Sequence, residues 1–158
     1  MAIIGIVAVD RNGAIGKGGG VPWHYSSDLK FFKEQTTGHA CVMGRKTWLS
    51  LKKPLKNRLN IVLSRCAEVE PQGGVIVLRD RPSVLSLKPY LSCDLFIIGG
   101  EQIFRAFLGD IEEWIVTEIP LAVEGADTFI PEDYLRGFKA SRSRQLEEDL
   151  KVTFYQRS

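Results

Sequence analysis

Apolar residues in this chain come in short runs separated by glycine, proline and charge. Residues 2–9, Ala-Ile-Ile-Gly-Ile-Val-Ala-Val, make the first run. It is rich in β-branched side chains and lacks a polar alternation, which predicts a strand buried on both faces. The same pattern predicts strands over 40–43, 59–63, 74–78, 94–98 and 113–119, and a pair of longer strands over 138–157 around Glu147-Glu148-Asp149. Between them the pattern predicts helices over 27–36, 44–51, 83–88 and 101–108. Ser26-Ser27 offers an N-cap for the first of these, although Leu29 and Lys30 stand where a capping box needs Glu or Gln. Leu29, Phe32 and Phe31 are its expected inward stripe, and Gly38 suits a left-handed stop. Pro54 and Pro89 close the next two helices. This order of elements predicts an α/β chain with a central, mostly parallel sheet, antiparallel C-terminal edge strands and flanking helices.

At 158 residues the chain suits one domain with a sizeable core. No window reaches the roughly 18 apolar residues of a membrane helix. The N-terminal run lacks a basic leader and stops at Asp10-Arg11, so it reads as a strand rather than a signal peptide. Cys41, Cys66 and Cys93 are odd in number and widely spaced, which suits reduced thiols in a cytoplasm. With only His24 and His39 and no paired cysteines, a structural zinc site is not expected. The net charge of +2 conceals an asymmetry. Between Gln35 and Ala67 there is no acid, whereas Arg45, Lys46, Lys52, Lys53, Lys56, Arg58 and Arg65 all fall in that span. Such a region meets anions, either nucleic acid or a phosphorylated cofactor; a solvated basic face is the plain alternative.

Two strand-to-helix junctions, Met43-Gly44-Arg45-Lys46-Thr47 and Ile97-Ile98-Gly99-Gly100-Glu101-Gln102, share one design. Each ends a strand in glycine and opens a helix, whose free N–H groups and dipole favour a phosphate. Arg45, Lys46 and Ser64-Arg65 would suit a further phosphate, such as the 2′-phosphate of NADP. Neither GxGxxG nor GxxxxGK[ST] occurs, which weakens ordinary Rossmann and P-loop readings. Asp28 sits among Trp23, Leu29 and Phe32. A first-turn acid is favoured by the helix dipole alone, but burial raises its pKa and makes an unpaired anion costly. An amidine-like ligand edge would relieve that cost with two hydrogen bonds. Arg58 is either a solvated loop arginine or a bidentate clamp for a carboxylate. Lys17-Gly18-Gly19-Gly20 is either a floppy loop or a lid.

In order along the chain, Ile15-Gly16, Val21-Pro22-Trp23, Asp28-Leu29, Phe32-Lys33, Met43-Gly44-Arg45-Lys46-Thr47-Trp48, Pro54-Leu55, Arg58-Leu59-Asn60, Leu63-Ser64-Arg65, Ile97-Ile98-Gly99-Gly100, Thr117 and Glu124-Gly125-Ala126-Asp127-Thr128-Phe129 resemble bacterial dihydrofolate reductase. The resemblance covers essentially the whole chain. It implies that family's three-layer fold and the NADPH-dependent reduction of 7,8-dihydrofolate to tetrahydrofolate. Asp28 would hold the pterin 2-amino group and N3 and promote protonation at N5. Thr117 would support Asp28, and Trp23 would help order a water. Ile6, Val7, Ala8, Leu29, Phe32, Leu51 and Leu55 would line the folate pocket, with carbonyls of Ile6 and Ile98 facing the pterin amino group. Arg58 would clamp the glutamate α-carboxylate. Gly44, Arg45, Lys46, Thr47, Ser64 and Arg65 would hold the NADPH adenosine and phosphates, and Gly99-Gly100, joined by a cis bond in the family, the pyrophosphate. Ala8, Ile15, Gly16, Leu63, Ile98, Gln102 and Phe104 complete the implied cofactor contacts. Residues 14–24 would be the lid, and 39–92 roughly an adenosine-binding subdomain. The resemblance further implies a cytoplasmic monomer that binds folate and its analogues, with no metal, nucleic-acid or membrane partner.

Phe104 stands where many members carry tyrosine, and Val21 where methionine or leucine is usual. The triple glycine is richer than most, which predicts a mobile lid and a weakened closed state. Two alternatives remain at this point. One is the related reductase domain of riboflavin synthesis, acting on a ribosylamino-pyrimidine; the other is a basic NADPH- or nucleic-acid-binding module without turnover.

Overall fold

The computed structural model describes residues 1–65, 69–70 and 72–158, so Cys66 lies outside the described residues. In chain order the elements are β1 (Ile3–Val9), β2 (Ala14–Gly16), α1 (Ser26–Thr36), β3 (Ala40–Gly44), α2 (Arg45–Ser50), β4 (Leu59–Leu63), β5 (Val75–Leu78), α3 (Arg81–Leu85), a 3-10 turn at Lys88–Tyr90, β6 (Leu95–Gly99), α4 (Glu101–Phe107), β7 (Glu113–Glu118), β8 (Thr128–Phe129), β9 (Phe138–Glu147) and β10 (Leu150–Arg157).

The first apolar run becomes a central strand, as its lack of alternation predicts. β1 lies between β6 and β7 and is parallel to both. The full sheet runs β5-β4-β3-β6-β1-β7-β10-β9. Every pairing from β5 through β7 is parallel, and only the β7–β10 and β10–β9 pairings are antiparallel. Alternate side chains feed two cores. Ile3, Val42, Ile61, Ile97 and Val116 pack on one face with Val84, Phe104 and Phe107 from α3 and α4. Ile4, Ile6, Cys41, Met43 and Val62 pack on the other with Phe31 of α1, and Trp48 of α2 joins them. Helices on both faces of a parallel sheet are the three layers.

Local details correct several expectations. The N-cap of α1 is Tyr25, not either serine: its extended backbone presents a carbonyl to the N–H groups of Asp28 and Leu29, both at 3.2 Å. Ser27 instead donates its hydroxyl to Glu147 Oε2 at 2.8 Å. Of the expected stripe of α1, Phe31 is buried at 2% exposed and Phe32 packs partly buried beside it, while Leu29 is 57% exposed. The helix presents one stripe to the sheet and a neighbouring one, with Asp28 and Phe32 four apart, alongside it. α3 starts two residues early because Asp80 caps it, accepting the Ser83 N–H at 2.9 Å. Gly38 does adopt a positive φ of 86°. The short β2–β8 pair, which no apolar pattern announced, forms a separate two-stranded sheet.

The glycine run has a conformational reason besides flexibility. Lys17 and Gly20 exchange backbone hydrogen bonds at 2.9 and 3.2 Å around Gly18 and Gly19, whose φ values are +60° and +84°. Two successive positive φ angles make the mirror-image hairpin turn that non-glycine residues enter only with strain. No helix among the described residues is long and apolar enough to cross a membrane.

Candidate active site

Register in the sheet places the first pair of site residues. Ala8, near the C-terminal end of β1, stands opposite Thr117 of β7. Thr117 is 3% exposed, and its hydroxyl donates to Asp28 Oδ1 at 2.8 Å. Burial pushes the Asp28 carboxyl above its usual range, and the Thr117 hydrogen bond opposes that rise. The sum is a half-buried carboxylate braced on one oxygen, in the first turn of α1. Trp23 is half-buried on the approach to that helix.

Several of the apolar residues expected around Asp28 gather on one face of the sheet. Phe32, Leu51, Leu55 and Ile98 all pack against the cluster that contains Ile6 and Phe31. Val7 packs against the opposite cluster, along with Ile15, as strand alternation requires. At the far end of α1, Arg58 donates Nε to the Lys56 carbonyl at 2.8 Å and Nη1 to Thr36 Oγ1 at 3.1 Å. Its guanidinium lies 6.0 Å from the centre of the Phe32 ring. Among the described residues no carboxylate pairs with it.

The glycine-ended strands β3 and β6 are neighbours, with Met43 opposite Gly99. Gly99 has a φ of +120° and joins Gly100 through a cis bond. A methyl group added at Gly44 would lie 3.0 Å from Ile103, and one at Gly99 would lie 3.3 Å from the Phe104 ring. At Gly100 its nearest neighbour would be Thr47 Oγ1 at 3.9 Å. Gly99 needs glycine for its positive φ, a side chain at Gly44 would crowd Ile103, and the Thr47 hydroxyl lies beside the Gly99-Gly100 backbone. Arg45 and Lys46 are exposed just past β3, with Ser64 and exposed Arg65 just past its neighbour β4, where Gly44 faces Leu63. Gln102 is exposed in the first turn of α4. These groups line the carboxyl ends of adjacent parallel strands, the usual crevice for a nucleotide. Bare backbone, two hydroxyls and three cations there fit a dinucleotide that carries an extra phosphate. Phe104 is 1% exposed and packs on Trp114, ring centres 5.5 Å apart.

Several participants had not been expected from the sequence. Asp127 Oδ2 accepts the Gly18 N–H at 2.9 Å, and Lys17 Nζ donates to the Glu124 carbonyl at 2.9 Å. Asp10, 4% exposed, accepts the N–H groups of Asn12, Ala14 and Val123 at 2.7–2.8 Å. Burial works to raise the Asp10 pKa, and these three bonds outweigh it and hold the carboxyl below its usual range. Both acids tie the segment around residues 10–20 to the one around 119–130. Asn60, fully buried, organises the loop that carries Leu55 and Arg58. A polar residue inside the apolar run 59–63 was the signal for it; Asp127 fell in a motif of the resemblance without a role, and Asp10 carried no signal.

A sequence model of dihydrofolate reductase matches residues 2–157. The chain belongs to this family. The dihydrofolate reductase of Bacillus subtilis is 36% identical over 148 residues, spanning 92% of this chain and 85% of the relative. That of Mycobacterium leprae is 40% identical over 125 residues, spanning 75% and 73%. A solved structure, dihydrofolate reductase from Enterococcus faecalis complexed with NADP(H) and RAB-propyl, matches with a TM-score of 0.89 at 31% identity, covering 99% of this chain and 96% of that one. Membership of the dihydrofolate reductase family sets aside both the riboflavin-pathway reductase and the turnover-free binding module.

Proposed function

We infer that this chain reduces 7,8-dihydrofolate to 5,6,7,8-tetrahydrofolate with NADPH. The observation that carries the reading is the Thr117-braced, half-buried carboxylate of Asp28, set in a dihydrofolate reductase fold. In this reading Asp28 accepts two hydrogen bonds from the 2-amino group and N3 of the pterin, the amidine edge that its burial calls for. Thr117 holds one carboxylate oxygen and so fixes the plane in which that edge is read. Leu29, Phe32, Leu51 and Leu55 cover the flat apolar part of the substrate, and carbonyls of Ile6 and Ile98 meet the pterin amino group. Arg58 clamps the α-carboxylate of the glutamate tail. Trp23 orders a water that serves protonation at N5.

NADPH, when bound, supplies the hydride that reaches C6. Gly99, Gly100 and Thr47 receive its pyrophosphate, and Arg45, Lys46, Ser64 and Arg65 receive the adenosine end. Ala8, Ile15, Gly16, Gly44, Leu63, Gln102 and the Phe104-backed Gly99 wall line the remainder. Residues 14–24 act as a lid, which excludes water while the hydride moves, and 39–92 as the adenosine-binding subdomain. The chain works as a monomer in the cytoplasm, where the unpaired Cys41 and Cys93 remain reduced.

The test is purified protein with NADPH and dihydrofolate, followed by the loss of NADPH absorbance. The expected result is turnover that Asp28→Asn lowers by roughly 10²–10⁴-fold. Full activity in that variant would overturn the mechanism.

A further inference from the structure

Two fully buried polar side chains lie outside the residues that touch substrate or cofactor in the reading above, yet both converge on Arg58. Thr36, in the last turn of α1, is 0% exposed. Its hydroxyl donates to the Phe32 carbonyl at 2.8 Å and accepts Arg58 Nη1 at 3.1 Å. It therefore links the guanidinium to the same helix that carries Asp28. Asn60, also 0% exposed, sits in β4 and uses both ends of its amide. Its Oδ1 accepts the Leu55 N–H at 2.9 Å, and its Nδ2 donates to the carbonyls of Leu55 at 3.0 Å, Arg58 at 3.1 Å and Gly74 at 3.3 Å. Those bonds hold both ends of residues 55–58, where Asn57 takes a φ of +59°.

A long arginine loses rotamer freedom when it is held in one geometry, and a planar fork reads a carboxylate only when its plane is fixed beforehand. We propose that Thr36 and Asn60 are positioning residues that pre-set the Arg58 fork, so that the enzyme selects pterins bearing a carboxylated tail over pterins without one. Thr36 fixes the head group and Asn60 the backbone beneath it. The proposal rests on Arg58 being the carboxylate clamp.

The experiment measures binding of 7,8-dihydrofolate and of the tail-less 6,7-dimethyl-7,8-dihydropterin to wild type, Thr36→Val, Thr36→Ser, Asn60→Ala and Arg58→Leu. Thr36→Val should weaken dihydrofolate by about three- to tenfold, the range of one neutral-acceptor hydrogen bond, and leave the dihydropterin unchanged. Thr36→Ser, which keeps the hydroxyl, should restore selectivity. In an Arg58→Leu background Thr36→Val should have no further effect. If Asn60→Ala fails to fold, the Thr36 pair carries the test alone. Equal weakening of both ligands by Thr36→Val, or an undiminished effect without Arg58, overturns the proposal. Unchanged dihydrofolate binding in Arg58→Leu would instead overturn the clamp on which it rests.

Discussion

Thr117 and Asp28, 89 positions apart in the chain, meet through a 2.8 Å hydrogen bond from hydroxyl to carboxylate. The bond favours the charged form of an acid that burial works to keep neutral. Thr117→Val keeps the shape and removes the donor. The Asp28 pKa then rises further, and the acid limb of the kcat/KM profile for dihydrofolate moves to higher pH. A profile of unchanged midpoint would refute this pairing as the control of Asp28.

Because its folded pKa lies above its unfolded value, Asp28 adds stability below the unfolded carboxyl range and loses it as pH rises through the folded pKa. Asp28→Asn escapes that loss. Its stability should therefore gain on that of wild type between acid and neutral pH while activity collapses. Urea unfolding at both pH values measures it, and a stability of Asp28→Asn relative to wild type that falls toward neutrality contradicts it.

Arg58→Lys keeps the charge but loses the fork. It should raise the KM for dihydrofolate by about tenfold or more while KM for NADPH stays put, since a point charge replaces a bidentate donor. Steady-state kinetics with each substrate varied separate the two.

Gly19 has a φ of +84° and Gly20 has none in the left-handed region, and a methyl on either meets no atom within 4 Å. Alanine at position 19 therefore strains the turn by about 1 kcal/mol, whereas at position 20 it removes only unfolded-chain freedom. Gly20→Ala should slow lid exchange seen by NMR relaxation dispersion without lowering Tm, and Gly19→Ala should lower Tm. Identical behaviour of the two variants would contradict the turn geometry.

A methyl on Gly5 would sit 2.5 Å from the Trp114 ring, which is fully buried. Gly5→Ala pushes that ring against Phe104 and Tyr134. Thermal unfolding should show a loss of about 1–3 kcal/mol.

Legibility followed the range of the forces involved. The runs 2–9, 59–63 and 113–119 became β1, β4 and β7 because continuous apolar segments must be buried on both faces. Asp28 was visible as an acid among aromatics, and the basic span from Arg45 to Arg65 as a region for anions. Less visible were the choice of Phe31 over Leu29 as the core-facing residue and the capping of α1 by a tyrosine carbonyl. Both depend on how the helix is seated on the sheet, and that seating also involves Ser27 with Glu147 and Glu34 with Arg144, far away in sequence.

The residues alone determined the class of fold, an acid among aromatics, an acid-free basic span and the glycine turn, because burial periodicity, charge and backbone permissiveness are properties of neighbours along the chain. Tertiary structure alone decided which groups hold which. Thr117 braces Asp28, Thr36 and Asn60 bond to Arg58, and Asp10 and Asp127 tie the segment around residues 10–20 to the one around 119–130. The bonds of Thr117, Thr36, Asn60 and Asp10 join buried or half-buried groups, and all but the one from Asn60 to Arg58 span at least 22 residues. The assembled sheet, with β1 between β6 and β7, brings the distant partners within hydrogen-bond reach, and where the groups are buried it keeps water from competing for them.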